Sequence, residues 1–179
     1  MRILHAVEGS VLWLLDHNAL ATRNLQREAQ ARGIDANRLI FAARMPLADH
    51  LARHRLADLF IDTLPYNAHT TASDALWAGL PVLTCMGTTF AARVAGSLLR
   101  TMDLPELITH TQAAFEARAI ALAKDPSELS EIQSKLRVRR DTSPLFDAPL
   151  FTRHIEAAYR TMQTRYQAAL PPEHFSVES

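Results

Sequence analysis

The chain has 179 residues, the size of one ordinary domain and enough to bury a core. Hydrophobic residues make up 48% and charged residues 21%, and 19 Lys plus Arg balance 19 Asp plus Glu, so no general basic excess argues for nucleic acid. No apolar stretch reaches the roughly 18 residues of a helical span, so no membrane segment is expected.

The N-terminus, MRILHAVEGSVLWLLDHNAL, makes a poor signal peptide because Glu8 and Asp16 interrupt it. Ser10–Leu15 reads as a short buried strand. Leu20–Ala31 reads as an amphipathic helix ended by Gly33. Asn37–Ala42 is a second strand, and Leu47–Leu56 a short helix after Pro46. Asp58–Thr63 is a third strand. Thr70–Ala78 is a helix stopped near Gly79 and Pro81, with a fourth strand at Pro81–Cys85. A helix at Phe90–Met102 leads to a brief strand at Glu106–Thr109. Helices follow at Gln112–Lys124, Ser127–Arg139 and Phe151–Ala168. The last carries apolar Ile155, Tyr159, Met162 and Tyr166, which need a surface to cover. The tail PPEHFSVES is expected to be loosely held.

Short apolar runs alternating with helical patterns predict an α/β fold, a Rossmann-like parallel sheet with flanking helices. Cys85 is the single cysteine, which rules out an intrachain disulfide and fits a reducing, cytoplasmic compartment. At the end of the fourth strand it reads as packing rather than a nucleophile. Trp77, on a helix expected to face the sheet, reads as core.

In such sheets ligands sit beyond the carboxyl ends of the strands. Leu64–His69 forms a loop at that edge, and the helix from Thr70 offers free N–H groups and a positive end to a phosphate. His69, Thr70 and Thr71 add side-chain donors. Asp74, one turn in, can accept hydrogen bonds from sugar hydroxyls or fix a basic neighbour. The plainer alternative makes Thr70 an N-cap and Asp74 a first-turn acid, although Ser73 leaves the capping box unfinished. After the second strand, His50, Arg53 and His54 share a helix face. Arg53 suits phosphate, and a solvated basic surface is the alternative. The two imidazoles lack the intervening Glu of a zinc motif, so no metal is expected. At a third junction Gly87, Thr88 and Thr89 precede the helix at Phe90–Met102, with Arg93 one turn in, as a possible cleft wall or an ordinary cap. No GxGxxG, GxSxG or P-loop pattern occurs.

LADLFIDTLPYNAHTTASDALWAGLPVLTCMGTTFAARVAGSLL resembles the C-terminal catalytic lobe of the O-linked N-acetylglucosamine transferases, the family that includes the SPINDLY-like proteins. DLPELI, SPLFD, FTRHIEAAYRTMQTRY, SVLWLL, RLIFA and the His50/Arg53 pair extend the resemblance over nearly the whole chain. The resemblance implies one lobe of a GT-B glycosyltransferase that moves N-acetylglucosamine from UDP-N-acetylglucosamine to Ser or Thr hydroxyls of proteins. It implies direct displacement with inversion, and neither cofactor nor metal. It matches His69, Thr70 and Thr71 to the diphosphate, Asp74 to the ribose, and His50 and Arg53 to the nucleoside. It implies partners beyond the donor: a protein acceptor and an N-terminal catalytic lobe on the same or another chain, with no nucleic acid or membrane.

Residues 1–150 then form the nucleotide-sugar lobe, incomplete at its N-terminal side. Residues 151–170 form a helix that packs on the absent lobe, and 171–179 a tail. Family members carry a further strand and a lysine-bearing turn upstream of the point matching Met1, and that strand is central in the expected order. An unfilled gap there would expose backbone groups and apolar faces. Animal members commonly place a lysine near the position of Leu47, which is absent here, and SPINDLY-like relatives that use GDP-fucose leave the donor base open. A truncated, non-catalytic scaffold or interaction domain is the alternative.

Overall fold

The computed structural model describes residues 1–177; Glu178 and Ser179, the end of the expected tail, lie outside the described residues. A short helix, α1 (Arg2–Ala6), opens the chain where the sequence predicts no element. Arg38 holds its end, donating to the carbonyls of Leu4 and Val7 at 2.8 Å each. β1 (Leu12–Leu15) follows. α2 (Ala19–Ala31) starts where the Asn18 side chain accepts from the Leu20 and Ala21 amides, and it gives way to Gly33 at φ +71°.

β2 (Leu39–Ala42) pairs in parallel with β1, Leu12 opposite Leu39 and Leu15 opposite Ala42. α3 (Leu47–Arg53) tightens into a 3-10 turn over His54–Leu56 rather than continuing as one helix. β3 is shorter than expected, Phe60–Ile61: the Asp62 amide still donates to the Leu83 carbonyl, but the Asp62 carboxylate and Thr63 hydroxyl bond into the next loop.

α4 (Thr70–Ala78) ends on Gly79 in the left-handed region at φ +86°, a conformation that favours glycine. β4 (Val82–Cys85) is buried at every position, as a central parallel strand should be. α5 covers only Val94–Thr101, not the whole of Phe90–Met102, because Ala91 and Ala92 give their carbonyls to Asn67 and Gly87 in neighbouring loops. β5 (Ile108–Thr109), α6 (Gln112–Lys124), α7 (Pro126–Arg140) and α8 (Ala148–Gln167) complete the order. Each of these last three helices is capped by a side chain, from Thr111, Asp125 and Asp147.

The strands form two parallel sheets, β1–β2 and β3–β4–β5. This is a parallel α/β fold with flanking helices. The main core lies around β4, where Leu76, Leu83, Leu99, Leu107, Leu122 and Leu136 are fully buried. Trp77 corrects the expectation of a core aromatic. It is 49% exposed and packs by its edge on Phe146, with the Arg140 guanidinium 5.7 Å from its ring. Ala72, Ala75 and Leu76 take the inward face of α4 instead. Cys85 is buried and free, as expected of packing. No helix among the described residues is long and apolar enough to cross a membrane.

Candidate functional site

β3 and β4 end side by side, and the loops after them meet. Asp62 closes β3 with a buried carboxylate. Its Oδ1 accepts from the Thr63 and Ala68 amides at 2.7 Å each, and its Oδ2 accepts from the Thr84 hydroxyl at 2.6 Å. Burial pushes the Asp62 carboxyl above its ordinary range, against the pull of those three donors. Asn67, 1% exposed, donates to the Thr63 carbonyl at 3.0 Å, while its amide N–H reaches the Ala91 carbonyl at 3.0 Å. These bonds fix the residues that lead into α4.

His69 is the residue before α4, and its side chain makes no cap hydrogen bond. The carbonyl of His69 accepts from the Ala72 and Ser73 amides, so the N–H groups of Thr70 and Thr71 stand at the helix mouth. Both threonines are exposed. Thr70 therefore opens the helix rather than capping it. The His69 ring stacks on Tyr66 with centroids 4.9 Å apart and meets Phe90 edge-on at 6.1 Å. Phe90 belongs to the loop that carries Thr88 and Thr89. There the Thr89 hydroxyl accepts from the Ala92 amide at 3.2 Å, an ordinary turn bond. Thr88 and Arg93 are exposed on the same loop.

His50 and Arg53 come from α3. The Arg53 guanidinium donates to His50 Nδ1 at 2.8 Å and to the Ala43 carbonyl at 2.9 Å, and lies 5.7 Å from the Trp13 ring centroid. Burial, with the charges of His54 and Arg53, lowers the His50 pKa; Asp74 on α4 pulls the other way. His50 is thus neutral at pH 7, and the proton sits on Nε2 because Nδ1 accepts. A groove of about 460 Å³ brings His50, Arg53 and Thr71 together along its wall. His69, Thr70, Asp74, Thr88, Thr89 and Arg93 do not line it; the loop of Thr88 and Thr89 meets His69 through Phe90.

Sequence reasoning missed Asp62, Tyr66, Asn67 and Phe90. The signal for Asp62 was available: an acid that closes an apolar strand must find donors or face water. Among the described residues there is no cluster of three or more His, Cys, Asp or Glu suited to a metal ion.

Parallel strands, covering helices and an uncapped helix mouth beyond the strand ends make a Rossmann-like lobe with an open seat at its carboxyl edge. A family model for Glycosyl transferase family 41 matches residues 1–155. The chain belongs to that family, the O-GlcNAc transferase and SPINDLY group. It is 32% identical over 176 residues to the UDP-N-acetylglucosamine–peptide N-acetylglucosaminyltransferase of Caenorhabditis elegans, covering 98% of this chain and 15% of that protein. The probable SEC enzyme of Arabidopsis thaliana is 35% identical over 98% of this chain and 18% of its own length. The probable SPINDLY enzyme of Solanum lycopersicum is 39% identical over 118 residues, 66% of this chain and 13% of its own. A mutant of the Thermobaculum terrenum O-GlcNAc transferase superposes with a TM-score of 0.87 at 34% identity, covering 94% of this chain and 33% of that one. The chain thus spans under a fifth of these curated relatives and a third of the solved one.

Proposed function

We propose that this chain is the nucleotide-sugar-binding part of an inverting protein O-glycosyltransferase. The donor is UDP-N-acetylglucosamine and the acceptor a Ser or Thr hydroxyl of a protein. The observation that carries this reading is the mouth of α4, where His69 and the exposed Thr70 and Thr71 stand at an uncapped helix end fixed by Asp62. As the glycosidic bond breaks, charge gathers on the leaving diphosphate, and donors already aimed at that point lower the barrier. Thr70, Thr71, their amides and His69 are those donors. Asp74 takes the ribose, and His50 and Arg53 the nucleoside. Thr88, Thr89 and Arg93 form the outer wall.

The lobe is residues 1–150. Residues 151–170 pack on an N-terminal catalytic lobe, on the same or another chain, through the exposed Phe151, Tyr159, Met162 and Tyr166. The free, buried Cys85 suits a reducing cytoplasm.

Calorimetric titration with UDP, UDP-N-acetylglucosamine and GDP tests the reading. UDP and its sugar should bind in preference to GDP. His69→Ala should weaken UDP at least about tenfold while the circular dichroism spectrum stays unchanged. A folded chain that ignores all three ligands would favour the non-catalytic scaffold, and preference for GDP would point to a fucose donor.

A further inference from the structure

The His69 ring is tied to the protein through one of its two nitrogens. Nε2 lies 3.4 Å from the Ala91 carbonyl oxygen, and among the described residues the ring forms no other hydrogen bond. A carbonyl can only accept, so Nε2 carries the proton. In the neutral ring Nδ1 is then a bare lone pair. Tyr66 stacks on one face and Phe90 meets the ring edge-on, which resists a flip that would exchange the two nitrogens.

A diphosphate presents acceptor oxygens. A lone pair repels them, while an N–H on a charged ring gives them a charge-assisted bond. The ring can offer an N–H at Nδ1 only as an imidazolium, with both nitrogens protonated. Asp62 is the counter-charge. Its buried carboxylate is held by two amides and a hydroxyl, none of them a cation. Among the described residues, His69 is the one ionisable side chain whose charge acts on it. No other acid around the ring takes this part. Tyr66 offers its ring face, and the facing loop offers Phe90 and the Ala91 carbonyl, with Arg93 exposed at its end. On α4, Asp74 acts on His50.

We propose that His69 receives the diphosphate as an imidazolium, its Nδ1–H donating to the ligand and its Nε2–H to the Ala91 carbonyl, with Asp62 as the positioning residue that supplies the counter-charge. Binding therefore takes up a proton. The inference rests on the diphosphate seat proposed above. An imidazole ordinarily titrates at about pH 6.5, so above that pH the ligand must restore the proton it needs. Affinity then falls as pH rises and levels off below the imidazole range.

The probe is UDP-N-acetylglucosamine, because the terminal phosphate of UDP itself titrates at about pH 6 and would blur the result. Long-range proton–nitrogen NMR on the full chain should show the free neutral ring protonated at Nε2, and both nitrogens protonated once ligand is bound. Calorimetry at about pH 7.5, in two buffers of different ionisation enthalpy, should read uptake of at least about half a proton. Kd should rise at least about fivefold from about pH 6.5 to about pH 8. His69→Gln should bind more weakly and lose the uptake. Asp62→Asn keeps an oxygen for the Thr63 and Ala68 amides and removes the charge. It should weaken binding at least about fivefold at about pH 8 and less than about twofold at about pH 5.5, where the ring is already charged. Equal weakening at both would mean a merely structural role and overturns the part given to Asp62. Should that variant misfold, the wild-type and His69→Gln profiles still decide. A free neutral ring protonated at Nδ1 overturns the proposal. So does binding without uptake, or uptake that persists in His69→Gln, and each of these leaves the nucleotide reading standing. A folded chain that binds no donor sugar at any pH removes that reading, and the proposal with it.

Discussion

The two sheets of this molecule are built to different standards. Around β3–β4–β5, α4 through α7 enclose a continuous core in which Leu83, Leu99 and Leu122 have no exposed surface. Around β1–β2 the buried core is Leu4, Ala29, Ile34 and Leu39, with Met1, Leu12, Leu14 and Phe41 only partly covered. Both sheets are parallel and both come from similar apolar runs. The difference lies in what covers their edges. β4 has a strand on each side, while β1 has one neighbour and an open groove. A strand sequence specifies its own apolar character, but burial needs the neighbour as well.

Removing a side chain from each core gives the sharpest test of that contrast. Leu83→Ala should cost about 4 kcal/mol in urea unfolding, because a rigid, fully packed site cannot collapse. Leu39→Ala should cost about 2 kcal/mol, since the thinner core relaxes around the loss. Equal costs would mean that the first half is as well packed as the second.

Between these values stands Asp62→Ala, at about 3 kcal/mol, because it leaves the Thr63 and Ala68 amides and the Thr84 hydroxyl without their acceptor. That variant should also lose UDP binding if the loop before α4 positions the donors. Retained binding in a folded variant would separate Asp62 from the site. The smallest effect falls on Trp77→Ala, at about 1 kcal/mol, since the ring is half exposed and leans on Phe146 and Arg140. A loss as large as that of Leu83→Ala would restore Trp77 to the core.

The helix mouth of the candidate site was legible in the linear sequence. His69, Thr70 and Thr71 follow an apolar strand and precede a helical pattern, which alone locates a helix mouth at the strand ends. His50 and Arg53 are three apart, and they do meet on α3. Less visible was the scaffolding. Tyr66 and Phe90 are 24 positions apart, yet they bracket His69 only because two loops converge. Arg53 finds Trp13 across 40 positions for the same reason.

Sequence by itself determined the order of strands and helices after α1, the family and the helix mouth at the carboxyl edge of the sheet. These follow from local periodicity, from turn residues such as Gly79, and from a motif long enough to be specific. Only the tertiary structure decided that Asp62 ties the site loop, that Trp77 lies outside the core, and that the strands divide into two sheets around a groove. Each depends on which backbone and side-chain groups from distant positions come within hydrogen-bonding or packing distance. Local pattern carries no record of that distance, because burial is set by the neighbours and not by the residue alone.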